Sequence, residues 1–197
     1  AVMVVTQIVM VATMTMTPVH MREHHHGLGQ VGMVIGFHIG AMYLPSLVTG
    51  VMVDRIGRAP MVVAAAVTLL LAGMVAATAP PASVPLLTAA LVLLGLGWNL
   101  GLLSGTALVI DATVPATRPR VQGTIDVGIA LAGAGGGAVS GGVKAQFGYT
   151  MLSLGGGLLS LVLSPALWWL YRRRQPAAAR TRSHSGGSWS RWRSAGT

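Results

Sequence analysis

The stretch TGVMVDRIGRAPMV, Thr49–Val62, sets three charges in five residues, Asp54, Arg55 and Arg58, around Gly57. Long apolar runs lie on both sides of it. Elsewhere charge is scarce: 9% of the 197 residues are charged and 53% are apolar. Gly57 permits a sharp turn, and Pro60 suits the first turn of a following helix. The stretch therefore reads as a charged turn between two apolar helices.

Composition says what solvent those helices meet. Mean hydropathy is +0.69. Four acids and thirteen bases cannot clothe a soluble domain of this length, so the composition fits a chain surrounded mostly by lipid. The net charge of +9 does not point to nucleic acid, because the bases are not interleaved with aromatics on a polar scaffold. With no cysteine, a disulfide framework is excluded. The opening AVMVVTQIVMV is apolar from its first residue and has no polar n-region, unlike a signal peptide. It reads as a membrane span belonging to something longer.

A helix needs about 20 apolar residues to cross a bilayer core. Six candidate spans satisfy this: 1–19, 28–53, 60–79, 84–110, 121–143 and 148–171. Residues 1–171 thus form a six-helix membrane unit, and 172–197 a basic, Ser/Gly-rich tail with the composition of a disordered segment. Arg55, Arg58, Arg118, Arg120 and seven tail arginines fall on one side, against Arg22 and Lys144 on the other. The positive-inside rule makes the arginine-rich side cytoplasmic, with both chain ends there; the expected location is the inner (plasma) membrane. WWLYRRR, Trp168–Arg174, suits a headgroup belt meeting anionic lipid.

Glycines recur at four-residue spacing: Gly32, Gly36 and Gly40 in the second span, Gly97, Gly101 and Gly105 in the fourth, and Gly133, Gly137 and Gly141 in the fifth. Such spacing clears one helix face for close backbone approach. The second and fifth spans correspond if the six divide three and three, as in inverted three-helix repeats. The alternative is that glycine is simply common in membrane helices and in this composition, which three regular triads make less attractive.

The segment GVMVDRIGR, Gly50–Arg58, resembles the Gly-x-x-x-Asp-Arg-x-Gly-Arg signature of the major facilitator superfamily. MTMTPVHM, VIGFHIGAMYLPSLVTG, LGLGWNLGLLSGTALVIDA and RVQGTIDVGIALAGAGGGAVSGG resemble the C-terminal half of actinobacterial-type exporters of that superfamily. After Arg58 the chain departs from the pattern: a further base is usual, and Ala59-Pro60 stands there. The resemblance implies half of a twelve-helix secondary transporter working by alternating access. It implies membrane lipid, a small-molecule substrate, protons and the missing N-terminal six-helix half as partners, that half lying in the same longer chain or in a second copy. The first and fourth spans would line a central cavity, and the second and fifth would meet the other half. Gly50, Asp54, Arg55, Gly57 and Arg58 would form a cytoplasmic gate motif, with Asp111, Arg118 and Asp126 as partners. A topological anchor without a gating role is the simpler alternative for the motif.

Other polar residues stand inside the spans. Asp126 lies about 7–8 Å along the fifth, where an acid is costly and marks a functional candidate. It either closes the charge network, carries a coupling proton, or is solvated from the loop. His38, in mid-second span, is a proton relay candidate or a neutral imidazole bonded to a neighbouring helix. Asn99, beside Trp98, binds substrate or ties two helices together. Gln7, Gln122 and Tyr43 are lesser candidates. His20, His24, His25 and His26 flank a loop with Glu23. That cluster is read as a solvated loop rather than a metal site.

No nucleotide-binding loop or catalytic triad pattern is present, so no cofactor, metal or enzymatic activity is expected. The expectation is proton-coupled export of a small, partly apolar molecule. A truncated or non-transporting membrane protein acting as an assembly partner is the competing class.

Overall fold

The computed structural model describes residues 2–163. The expectations placed on the tail and on WWLYRRR lie outside the described residues. Within them the chain is helical: α1 (Val2–Glu23), α2 (Leu28–Tyr43), α3 (Ser46–Ile56), α4 (Arg58–Thr78), α5 (Val84–Ala112) and α6 (Arg118–Ser160). By length and composition, α1, α4, α5 and the joined α2–α3 are long and apolar enough to cross a membrane. The glycine-rich first part of α6 has lower hydropathy, because glycine contributes no apolar side chain. The protein is an all-α membrane bundle.

Two breaks depart from six simple spans. The second candidate span is two helices, separated at Leu44 and Pro45. Pro45 has no N–H to give to the preceding turn, so the ladder is interrupted there. Conversely, α6 merges two helical limbs across Gly148, whose φ of 80° and ψ of 171° are non-helical. The first limb corresponds to the fifth candidate span and the second to the start of the sixth.

The polar segment HMREHHHG also departs from a simple loop. α1 continues through His20 to Glu23. It ends in a paired cap in which the His26 amide reaches the Met21 carbonyl (3.1 Å) and the His25 amide the Arg22 carbonyl (3.2 Å). This double closure needs a residue in the left-handed region, and His25 supplies it with a φ of 63°.

α5 is the axis of the bundle, packing on α1, α2, α3 and α4, while α1 and α4 pack along α6. Leu69, Leu87, Leu91 and Leu94 are fully buried between these helices. Glycine makes the closest crossings. Added Cβ atoms at Gly97 and Gly101 would stand 2.8 Å from Leu69 and 2.6 Å from Thr6 Oγ1, and one at Gly105 would collide with Met3. The fourth-span triad therefore faces α4 and α1. Gly133 and Gly137 face Gln7 and Val11 of α1, whereas positions 32, 36 and 141 open onto empty space. A further crossing joins Gly73 of α4 to Gly157 of α6.

The opening motif is a tight joint. α3 ends at Ile56, and Gly57, at φ 105° and ψ 158°, connects it directly to α4. Only glycine adopts such a conformation without strain. Gly57→Ala is expected to cost about 1–3 kcal/mol, read as a lowered unfolding midpoint in detergent, while Gly50→Ala, with open space around it, should be nearly neutral.

Candidate functional site

Three charged ends meet where α3, α4 and α5 come together. Arg58 stands at the first position of α4 and Asp111 in the last turn of α5. Each is on the wrong end of its own helix dipole, a cation at an N-terminus and an anion at a C-terminus. Their pairing offsets both mismatches. Arg58 Nε lies 3.0 Å from Asp111 Oδ2, and Arg58 Nη2 lies 3.5 Å from Asp54 Oδ1. The Nε contact lacks hydrogen-bond alignment, so it is an ion pair held by charge rather than a directed bond. Its side chains are 32% and 40% exposed, which keeps its worth near that of a surface pair, about 1 kcal/mol or less.

The remaining motif and partner residues are placed as follows. Arg118 donates to the Ile110 carbonyl at 3.3 Å, capping the end of α5 beside Asp111. Arg55 is exposed at the end of an apolar groove along α3 lined by Leu47, Val48, Val51 and Met52. Asp126 is not brought to Arg58. It accepts from Gln122 Nε2 at 2.9 Å on its own helix and is otherwise exposed.

Deeper in the bundle, a polar belt crosses α1, α2, α3 and α5. Trp98 Nε1 donates to Gln7 Oε1 at 2.8 Å. The Tyr43 ring meets Trp98 edge-on, with centroids 5.9 Å apart and planes at 71°. Asn99 is buried, and its amide donates to the Met42 carbonyl (2.7 Å) and to Ser46 Oγ (2.9 Å). Both acceptors flank the α2–α3 break, so Asn99 satisfies a carbonyl that the broken helix leaves free. This is how irregular backbone is tolerated at membrane depth. His38 is fully buried, and its Nδ1 hydrogen donates to the Leu91 carbonyl at 2.7 Å, leaving Nε2 without a hydrogen-bond partner. Asn99 and His38 thus tie α5 to α2 and α3, although Asn99 Oδ1, like His38 Nε2, is buried without a hydrogen-bond partner; Gln7 and Tyr43 also keep polar atoms free of protein partners. Tyr43 is 60% exposed.

The opposite end holds contacts that sequence reasoning left as loop. Lys144 Nζ lies 2.5 Å from Glu23 Oε1. The His20 ring stacks on Tyr149 at 4.2 Å with planes 6° apart. The Tyr149 hydroxyl donates to Thr17 Oγ1 at 2.8 Å, because the Thr17 hydrogen is given to the Thr13 carbonyl. His26 is buried between the Pro81 carbonyl (2.7 Å) and Gln30 Oε1 (3.3 Å), and His24 bonds the His20 carbonyl (2.8 Å). The histidines are therefore spread over separate partners. The signal for this was present in the i, i+4 spacing of His20 and His24. No sequence feature identified Tyr149 as the partner.

Apolar helices around a polar belt, bound by ion pairs at both ends, define an integral membrane helix bundle. The sequence profile of the Major Facilitator Superfamily matches residues 1–196, and the chain belongs to that superfamily. It is 66% identical over 168 residues to the MFS-type transporter YdeG of Bacillus subtilis (strain 168), covering 85% of this chain and 39% of that protein. It is 58% identical over 177 residues to YddS of the same organism, also named an MFS-type transporter, covering 90% and 41%. The riboflavin transporter RfnT of Brucella anthropi is 32% identical over 117 residues, covering 59% and 29%. The chain spans about two-fifths of the length of the first two relatives. No solved structure gives a significant match.

Proposed function

We propose that this chain forms the C-terminal six-helix half of a secondary transporter. It exports a small molecule by alternating access, coupled to protons, with its arginine-rich end at the cytoplasmic face of the inner membrane. The Arg58–Asp111 contact carries the reading. It joins the start of α4 to the end of α5 and draws in Asp54, so the signature motif is engaged with its own bundle rather than idle. In this reading Arg58, Asp54 and Asp111 latch the cytoplasmic side, Arg118 braces α5, and Arg55 and Asp126 await partners from the N-terminal half. The open face at positions 32 and 36 meets that half.

Gln7 and Tyr43, beside Trp98, are the substrate-facing groups. Their aromatic walls and free amide suit a planar, hydrogen-bonding molecule, and a relative named for riboflavin supports that class. His38 Nε2, buried with its lone pair unpaired, is the proton candidate inside the bundle.

Counterflow of labelled riboflavin and related heteroaromatics into proteoliposomes holding the full-length protein tests this reading. Arg58→Gln and Asp111→Asn are each expected to slow counterflow about threefold or more at unchanged expression, as loss of a partly exposed ion pair implies. The reversed pair Arg58→Asp/Asp111→Arg should recover part of it. Counterflow indifferent to all three variants would sink the latch, and no counterflow with any probe would sink the substrate class.

A further inference from the structure

Thr17, His20 and Glu23 recur at three-residue spacing in the last two turns of α1, past or beside Pro18. All three meet α6. The points they meet, Lys144 and Tyr149, straddle Gly148, where α6 is broken. One contact is therefore made to the first limb of α6 and two to the second. Between the helices lies an open cavity of about 610 Å³, lined in part by Val19, Ala145 and Thr150. Each helix is weakened at this level, because Pro18 removes a backbone hydrogen bond from α1 and Gly148 interrupts α6.

We propose that His20, Tyr149, Lys144 and Glu23 form a proton-binding clamp, closed with His20 neutral and released when His20 takes up a proton. It fastens the end of α1 to both limbs of α6. The ion pair supplies the fixed charge contact, and the flat stack of imidazole on phenol supplies the titratable one. His20 lies in the polar segment HMREHHHG that follows the apolar run ending at Val19, beyond the first candidate span, 1–19.

The sign follows from the groups that face His20. Partial burial at the end of α1 disfavours the charged imidazole most. The neighbouring His24, then Lys144, and least His26 act the same way, while Glu23 opposes them, and the net effect lowers the His20 pKa below its ordinary 6.5. A released, solvated His20 regains its ordinary value. The clamp's imidazole contribution is thus complete above about pH 6.5 and is lost as pH falls through the lowered value of the closed form. Glu23 does not contribute in that window: its hydrogen bond to Lys144 holds its carboxyl below the usual carboxylate range, so the ion pair persists. The clamp needs no substrate and no gate at the arginine end, so its test stands apart from transport.

The chain has no cysteine, which permits spin labels at Val19→Cys and, on the second limb that the stack holds, Thr150→Cys in the full-length protein in lipid nanodiscs. Pulsed electron resonance is expected to give one narrow distance at about pH 8 and an added longer population at about pH 5, on either side of the imidazole range. His20→Phe keeps the ring stack and should hold the narrow distance at both values. Lys144→Gln should show the longer population at both, and the exchanged pair Glu23→Lys/Lys144→Glu should restore the narrow distance, separating loss of the clamp from misfolding. Identical distributions at the two pH values without further mutation, or a pH response retained in His20→Phe, would overturn the proposal.

Discussion

Gly73→Leu is expected to cost about 3 kcal/mol or more, lowering the unfolding midpoint of the purified protein in a detergent titration. A Cβ at position 73 would stand 2.5 Å from the Ser153 carbonyl oxygen and 2.9 Å from the Gly157 Cα. Both are backbone atoms of the second limb of α6, so no rotamer change relieves the clash and the helices must move apart. Separation also breaks what lies beside the crossing, including the buried bond from Ser160 Oγ to the Ala66 carbonyl at 2.9 Å. Gly73→Ala should do less, since alanine recovers up to about 1 kcal/mol of helix propensity. Gly36→Ala is the matched control: nothing lies within 4 Å of its added Cβ, so it should be neutral or slightly stabilising. Equal losses at positions 73 and 36 would show that the crossing is not close-packed.

Asn99→Leu is expected to cost about 2–3 kcal/mol and to loosen the α2–α3 junction. The substitution removes two hydrogen bonds, to the Met42 carbonyl and Ser46 Oγ. It strands a carbonyl at a helix break in an apolar interior, which costs about 1–3 kcal/mol. The cost is moderated because membrane interiors offer alternative partners, and measured interhelical bonds there average less than 1 kcal/mol. Asn99→Asp is the sharper test. It preserves shape but cannot, as a carboxylate, donate to the Met42 carbonyl. Faster amide hydrogen exchange at residues 43–49 should accompany both variants. Unchanged exchange in Asn99→Asp would mean that Pro45 alone sets the break.

These features differ in how far the sequence foretells them. The Arg58–Asp111 pairing follows from topology: when few charges are available and two short loops share a side, opposite charges at the helix ends find one another. Asp126 stood out as an acid inside a span, and its bond to Gln122 follows from their four-residue spacing. The role of Asn99 was legible only as an alternative, because a lone amide in a membrane helix is equally apt for substrate or for backbone. Pro45 did signal a break, yet apolar residues continue through it, so hydropathy alone reads one span. Gly73 was invisible. It belongs to no triad, and its only signal is the run of small residues around it in α4. The histidine segment was misjudged because polarity suggested a loop. α1 continues there, since nothing stops it until His25 adopts the left-handed conformation. That end of the bundle is built from contacts 121 and 132 residues apart, Lys144–Glu23 and Tyr149–Thr17, which local pattern does not encode.

The second-helix glycines have a consequence of a different kind. At positions 32 and 36 α2 presents bare backbone, with nothing within 4 Å of where a Cβ would stand. Interdigitated side chains resist sliding, because each must climb out of its hole before entering the next. A strip without such teeth has a shallow energy profile along its length. A helix laid against those two positions would meet little resistance to small axial or rotational displacement except from the flanking Met33 and Phe37, whereas the Gly73–Gly157 crossing is a weld.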